Sequence, residues 1–295
     1  MSCTCLEEKF LESCRSNDLE KVKACLTLGV DVNTVSDDQK ESGLTVAADK
    51  GYLHLLALLL AQPRINVNVK VALNQSRGQW TPLMFACCFN RPEVVRRLIQ
   101  VPGLDTDHQG SSGYTAQHCA AINSAESVRA LATLDTVNWN IKNNGGRTPL
   151  HWALYMGNSE SLRIISSLSG VDFTVTRNDG ETLAERAVTA SSLESVKILA
   201  EVEQFNWNVV DKNGDSPLMI TLKMTHKNIL NRHFTLKKNK NEMFDVLVNC
   251  PRVDLDVKDK NGDTAAMWAL KNNNPEALKK IVESSRYVHL ILFTY

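Results

Sequence analysis

Excess charge of either sign is the first thing this sequence lacks. Its 295 residues hold 33 Lys plus Arg against 33 Asp plus Glu, a net charge of zero. No global field draws the chain onto nucleic acid or an anionic membrane, so a charge-driven partner must be met by a local patch. Long hydrophobic runs are lacking too. The strongest, from Leu53 to Ala61, is nine residues long and contains His54, against the roughly 20 that a spanning helix needs. The opening MSCTCLEEKF carries two glutamates by residue 8 and has no basic-then-apolar order of a secretory signal, so export is not expected. Eight cysteines (Cys3, Cys5, Cys14, Cys25, Cys87, Cys88, Cys119, Cys250) lack the density of a secreted disulfide scaffold and the paired CxxC spacing of a structural metal site. One CxC near Cys14 does not make four soft ligands, and the expectation is reduced, mostly buried thiols with no metal. Nor is there a phosphate loop of the G-x-x-x-x-G-K-[ST] kind, a G-x-S-x-G elbow, an H-E-x-x-H pair or a Gly-rich dinucleotide turn, so no cofactor and no catalytic residue are expected. These absences point to a soluble, cytoplasmic protein, with the nucleus left open as an address. With 43% hydrophobic residues the chain has enough apolar surface to build a core.

What the sequence does have is a period. Residues that open helical segments fall at Ser42, Thr81, Thr115, Thr148, Thr182, Ser216 and Thr264, and four of the six intervals are 33 or 34. An Asp/Asn-x-Asp/Asn triplet or close relative recurs at Asp31–Asn33, Asn66–Asn68, Asp105–Asp107, Asn138–Asn140, Asp172–Thr174, Asn206–Asn208 and Asp254–Asp256. A third marker, Glu126-Ser-Val-Arg129, Glu160-Ser-Leu-Arg163 and Glu194-Ser-Val-Lys197, repeats at 34 and 34. Three features sharing one period describe an array of modules, not one closed core.

Each module reads as helix, turn, helix, hairpin. Thr148 is placed to cap the first helix, Pro149 suits its first position, and Gly157 is placed to end it. Apolar spacing in segments such as Val94, Val95, Leu98 and Ile99 makes the second helix. Asn144-Gly145, Asp179-Gly180, Asn213-Gly214 and Asn261-Gly262 suit the positive φ of a tight turn. Thr148-Pro149-Leu150-His151-Trp152-Ala153 resembles the T-P-L-H-x-A signature of ankyrin repeats, with weaker copies at Thr81-Pro82-Leu83-Met84-Phe85-Ala86 and Ser216-Pro217-Leu218-Met219. The resemblance covers about residues 6 to 283. It implies an all-α, ankyrin-type α-solenoid of about eight helix-turn-helix repeats with short β-hairpin connections. The chain reads as a single such domain over 1–295, its units starting near Glu8, Ser42, Thr81, Thr115, Thr148, Thr182, Ser216 and Thr264.

The array also decides what His151 does. Its equivalents in other units are Thr45, Met84, His118, Glu185, Met219 and Met267, and a catalytic residue would not be replaced by methionine in sister modules. In ankyrin repeats this histidine bonds backbone between neighbouring units, so the resemblance implies a structural role for His151 and His118. Trp139 and Trp207 in the Asn-Trp-Asn triplets, and Trp152 and Trp268 in the first helices, read as packing between units.

Three stretches depart from the period, and insertions in a repeat array belong on loops. About five extra residues in the hairpin Val69 to Gln79 should lengthen its tip. About 14 extra residues fall in the seventh unit, near 225–239. From Lys223 to Lys240 this stretch carries Lys223, Lys227, Arg232, Lys237, Lys238 and Lys240 with no acidic residue; it reads either as an anchor for an acidic peptide or phosphate or as a solvated loop, with Ile229, Leu230, Phe234 and Leu236 packing part of it back. Val288 to Phe293, apolar apart from His289, is a terminal segment that needs cover.

The resemblance further implies that hairpin tips and first helices line a concave groove where a partner protein docks. Carried over by position, the groove residues are Trp80, Phe89, Tyr114, Arg147, Tyr155 and Met156, types that bury large area or make forked hydrogen bonds with few torsions to freeze. The function expected is a noncatalytic protein-interaction scaffold or adaptor whose partner is another protein; the alternative is the regulatory ankyrin-repeat portion of a larger enzyme. No membrane partner is expected, and the neutral charge and scarcity of aromatics among the basic residues weigh against nucleic acid.

Overall fold

The computed structural model describes residues 3–72, 79–190, 192–227 and 234–284. The hairpin tip at 73–78, Ile229, Leu230 and Arg232 of the insertion, and the apolar tail Val288 to Phe293 lie outside the described residues. Sixteen α-helices are present among them, in eight pairs that match the eight expected modules. In chain order the pairs are α1 (Cys3–Arg15) and α2 (Leu19–Thr27), α3 (Gly43–Lys50) and α4 (Leu53–Leu60), α5 (Pro82–Cys88) and α6 (Pro92–Leu98), and α7 (Ala116–Asn123) and α8 (Ala125–Leu131). They continue with α9 (Pro149–Met156) and α10 (Ser159–Ser166), α11 (Leu183–Ala190) and α12 (Leu193–Glu201), α13 (Pro217–Lys227) and α14 (Phe234–Asn249), and α15 (Ala265–Lys271) and α16 (Pro275–Glu283). The first module begins at α1, five residues ahead of its expected start near Glu8.

The helices start where sequence chemistry puts them. Ser42, Thr81 and Thr264 accept from the backbone N–H three residues on, and Ser42 and Thr115 each close a reciprocal capping box. Each such cap satisfies one of the donors a helix start leaves orphaned and stabilises it by about 1 kcal/mol. Several first helices stop at a residue with positive φ: Gly51 at 76° and Gly157 at 67°, with Asn90 and Asn273 doing the same elsewhere. Glycine has no Cβ to resist that conformation, and asparagine resists it less than most residues.

The chain groups into two compact units, Met1–Trp152 and Ala153–Tyr295. In the first, α1, α3, α5 and α7 pack in succession, and α4, α6 and α8 pack in a second row behind them. In the second, α11, α13 and α15 form one row and α10, α12, α14 and α16 the other. The repeat explains the rows. Two residues past the opening Ser or Thr stand Leu44, Leu83, Leu150 and Leu218, all 1% exposed or less; five past it stand Ala47, Ala86, Ala120, Ala153, Ala187 and Ala269, all fully buried. The leucines fill the space between rows, each burial stabilising by roughly 1.5–3 kcal/mol, while the alanines let neighbouring first helices approach. Second helices contribute Leu55, Leu56 and Leu59, Val94, Val95 and Leu98, and Leu162 and Ile165, all buried. Trp139 and Trp207 are 6% and 1% exposed, filling the core.

The connections are tighter than the hairpins expected. Among the described residues only Val71–Ala72 (β1) and Gln79–Trp80 (β2) pair as strands, antiparallel with Val71 opposite Trp80. Elsewhere a turn closes by one backbone bond, such as Asp211 N–H to the Asp215 carbonyl at 3.0 Å. The Asp211 carboxylate then accepts from the N–H groups of Asn213 and Asp215, both at 2.8 Å; Asn143 and Asp259 do the same in their own turns. In the Asn144-Gly145 turn the positive φ falls on Gly146, at 75°, one residue later than the pair suggested.

The Asp/Asn triplets form the ladder between modules. Asn33 donates from its amide to the Arg64 carbonyl (2.8 Å) while its Oδ1 accepts from Asn66 N–H (2.7 Å). Asn68 does the same to Gly103 and Asp105, and Asn208 to Arg252 and Asp254. A carboxamide carries both a donor and an acceptor, which is why asparagine suits the third triplet position.

The long insertion of the seventh module is not a loop over its described length. It extends the two helices, α13 running to Lys227 and α14 starting at Phe234. Lys227 falls in α13, and Lys237 and Lys238 in α14. Lys223 and Lys240, expected in a basic patch, are tied down instead. Lys223 pairs with Asp215 and lies 3.4 Å from Asp259. Lys240 is buried at 6% exposure and donates to the carbonyls of Val188 and Thr189, the last turn of α11, where burial pushes its pKa down. A cation at a helix C-terminus satisfies orphan carbonyls there and complements the dipole.

Candidate functional site

In each unit one face is built on positions other than the buried leucine and alanine: the residue before each opening Ser or Thr and those four, seven and eight residues past it. Because these positions recur in every module, they line up as rows along the first helices.

In the unit Met1–Trp152 the face is aromatic. Trp80 packs edge-on against Phe85 with centroids 5.8 Å apart, and Phe85 stacks on Phe89 at 6.1 Å. Tyr114 lies 5.5 Å from Trp152 and 5.6 Å from His118, and the Arg147 guanidinium sits 5.2 Å from the Trp152 ring centroid. Aromatic contacts of this kind add about 0.5–1.5 kcal/mol each beyond the area they bury, and a guanidinium over indole adds a comparable amount. Phe89 is 41% exposed, whereas Tyr114, Arg147 and Trp152 are half-buried.

Trp80 corrects an expectation. It was placed among the groove residues, but it is only 8% exposed. Its strand pairing with Val71 in the lengthened hairpin turns the indole onto Phe85, so it supports the face from beneath and does not present to a partner.

His118 shows the chemistry the repeat needs at its position. The Thr115 N–H donates to Nδ1 at 3.2 Å, and Nε2 donates to the Arg147 carbonyl at 2.9 Å. That network assigns a neutral ring protonated on Nε2. The ring is fully buried, and burial drives its pKa down to about 4 despite the Arg147 carbonyl, which favours the cation. His151 repeats the local half of this bond set, with Nδ1 2.8 Å from the Thr148 hydroxyl. Both histidines therefore hold backbone and are poorly placed for proton transfer.

In the unit Ala153–Tyr295 the same positions are ionic. Glu181 is bridged by Arg177 and Arg186, Asp215 by Lys223, and Asp263 by Lys271 at 2.6 Å. Arg186 also covers the Tyr155 ring at 4.3 Å, and Lys223 lies 6.0 Å from the Trp268 centroid. Burial and the neighbouring Glu181, Asp211 and Asp179 raise the pKa of Glu185, which stands where other modules have histidine or methionine. Tyr155 at 46% and Met156 at 51% exposure are the large apolar side chains this unit offers beside its ion pairs.

Of the six side chains expected to bind, Phe89, Tyr155 and Met156 are exposed, Tyr114 and Arg147 are half-exposed, and Trp80 is not. Sequence reading missed Trp152 and Arg186 as members of the face, and Phe85, only 7% exposed, as a buried support beneath it. Their common place, four residues past the opening Ser or Thr, was the available signal. Among the described residues no cluster of His, Cys, Asp or Glu is arranged to hold a metal, and no helix is long and apolar enough to cross a membrane.

A family model described as ankyrin repeats in three copies matches residues 10–109, 98–177 and 187–290. Inversin of Canis lupus familiaris is 33% identical over 138 residues, 46% of this chain and 12% of that protein. The putative ankyrin repeat protein FPV031 of Fowlpox virus (strain NVSL) is 30% identical over 115 residues, 39% of this chain and 33% of that one. The chain therefore spans an eighth to a third of the length of these two relatives. Among solved structures, the ankyrin repeat domain of Bcl-3, described as a unique member of the IkappaB protein family, superposes with a TM-score of 0.65 at 23% identity, covering 82% of this chain and 98% of that one. That likeness concerns the fold.

Proposed function

The chain belongs to the ankyrin-repeat family, whose repeats are protein–protein interaction modules, and from that premise we propose that it is a noncatalytic scaffold or adaptor of the cytoplasm that holds a segment of a partner protein. In each unit the docking face is the one formed by the first helices and the residues that precede them. The observation that carries this reading is the contrast within the unit Ala153–Tyr295. Its acids Glu181, Asp215 and Asp263 each have a cation of the same unit, while Tyr155 and Met156 remain exposed; in the unit Met1–Trp152, Phe89 is exposed as well. A partner gains most by covering those apolar side chains, since desolvated aromatic and thioether anchors dominate interface energies and rim ion pairs add little.

The test is capture from a cell extract with three baits: the wild-type chain, Phe89→Ala/Tyr155→Ala/Met156→Ala, and a control altered on the second helices, Arg96→Ala/Arg129→Ala. Proteins kept by wild type and control and lost by the triple variant are the partners expected. Identical retention by all three baits would remove the face from the account.

A further inference from the structure

One junction in the unit Ala153–Tyr295 lacks the bridge that joins neighbouring modules at Asn33, Asn68 and Asn208. Where the bridge is made, the third triplet residue is asparagine. Its amide donates to the carbonyl two residues before the next triplet, and its Oδ1 accepts from the N–H that opens that triplet. Asn33 does this with Arg64 and Asn66, Asn68 with Gly103 and Asp105, and Asn208 with Arg252 and Asp254. In the connection after α10 the third residue is Thr174. Its hydroxyl and its N–H both turn back to Asp172 Oδ1, at 2.6 and 2.8 Å. The partners that the register sets opposite it are the Gln204 carbonyl and the Asn206 N–H, in the connection after α12. Among the described residues nothing bonds to either group.

We propose that this junction binds an asparagine side chain carried by an extended segment of a partner protein. The incoming carboxamide takes the place of the missing bridge: its amide donates to the Gln204 carbonyl and its Oδ1 accepts from the Asn206 N–H. The chain itself shows which group fits, because its own asparagines meet the same pair of backbone groups at the other junctions. A carboxamide sets a donor and an acceptor on one carbon. A carboxylate brings no donor, and an ammonium or guanidinium brings no acceptor. A hydroxyl has one oxygen to divide between two backbone groups.

The place is open to solvent and firmly floored. Thr174, Gln204 and Asn206 are exposed, and they line one cavity of about 130 Å³, well above the roughly 10–15 Å³ that a single water needs. Phe173 and Phe205 meet edge to face across the junction with centroids 5.8 Å apart, and Phe205 lies 4.6 Å from Trp207, which is buried. These packed rings hold the connection that carries the two backbone groups, so little ordering is left for a ligand to impose. Gln204 also lines a second cavity, of about 570 Å³, which runs between the ends of α10 and α12 past Ser166, Ser167, Ser169 and Glu203. That trough gives room and polar groups to the residues flanking the asparagine, which is why the occupant is a segment of a protein and not a small free amide.

The isotope-labelled full chain is titrated by NMR with acetyl-Ala-Asn-Ala-N-methylamide and with the same peptide carrying Asp or Ala at its centre. The Asn peptide should shift the Asn206 backbone amide signal and saturate. The other two should bind about tenfold more weakly, the equivalent of one to two net hydrogen bonds. Thr174→Asn sets the chain's own carboxamide in the gap, as Asn208 does at the following junction, and should weaken the Asn peptide about tenfold. Thr174→Val leaves the gap open and should bind like wild type. Wild-type protein whose Asn206 signal does not move, or that binds the three peptides alike, overturns the proposal whatever the variants do. A Thr174→Asn protein that unfolds at a higher midpoint yet binds the Asn peptide like wild type overturns it as well. The site uses none of Phe89, Tyr155 and Met156, so its failure and the failure of the docking face are read separately.

Discussion

Acidification from pH 7 to pH 4 acts on the module that carries α7 through His118. In the unfolded chain its imidazole takes a proton near its ordinary 6.5, whereas in the folded chain burial holds it to about 4. Between those values the unfolded state binds the extra proton, so stability rises with pH across the window. The contribution is complete above 6.5 and is lost as the pH falls toward 4. At 1.36 kcal/mol for each unit, a displacement from 6.5 to about 4 corresponds to about 3 kcal/mol. The geometry gives the same sign. A proton added at Nδ1 would turn the acceptor of the Thr115 N–H into a second donor facing it at 3.2 Å, with no room for water around a fully buried ring. The comparison that isolates the effect is His118→Met, because Met84, Met219 and Met267 already occupy this position in sister modules. Urea unfolding of both proteins at half-unit steps from pH 7 to pH 4 should show the wild type losing about 3 kcal/mol more than the variant, since the two proteins differ at that one side chain. An NMR titration of the His118 ring should stay flat down to pH 5. Parallel stability profiles, or a ring that titrates near 6.5, would refute the argument that burial and the Thr115 bond hold it neutral.

Two further predictions follow from the same rows. Thr174 stands at the third triplet position, where Asn33, Asn68 and Asn208 bridge to the next module, but its hydroxyl turns back to Asp172 at 2.6 Å. Thr174→Asn should complete the ladder toward Gln204 and Asn206 and stabilise by about 1 kcal/mol; an unchanged or lower unfolding midpoint would show that the bridge is not additive there. Lys240→Met should destabilise by roughly 1–3 kcal/mol by leaving the final carbonyls of α11 without their donor, with no change in the salt dependence of any partner binding. Weaker, more salt-sensitive binding at unchanged stability would restore Lys240 to a basic docking patch.

Much of the fold was legible because the repeat states the same physics eight times. The opening Ser and Thr residues, with a leucine two past four of them and an alanine five past six, mark seven first helices by local chemistry alone, and α3, α5, α7, α9, α11, α13 and α15 each begin one residue after such a mark. What was not legible depends on register between modules. The third residue of the triplet looks like a spacer until Asn33 is set against Arg64 and Asn66, more than thirty positions away. Trp80 read as a groove residue because the resemblance puts the residue before each opening Ser or Thr there; strand pairing specific to its lengthened hairpin goes with its turning inward. The lysine-rich insertion read as a loop because insertions in a repeat array belong there and no acidic residue lies between Lys223 and Lys240. The partners lie outside that stretch: Asp215, eight positions before Lys223, Asp259, 36 positions after it, and the carbonyls at the end of α11, some fifty positions before Lys240. The docking face was half legible: the side chains seven and eight past each opening residue stood out by size, while those four past it were masked by a motif that marks them as arbitrary.

The central claim is that partners are held by the first helices and the residues before them, and hydrogen exchange on a captured complex tests it most directly. The account predicts new protection, on binding, at the side of α5, α7, α9, α11 and α13 and at the turns that precede them, with α6, α8, α10 and α12 unchanged. Protection confined to the second helices would contradict it.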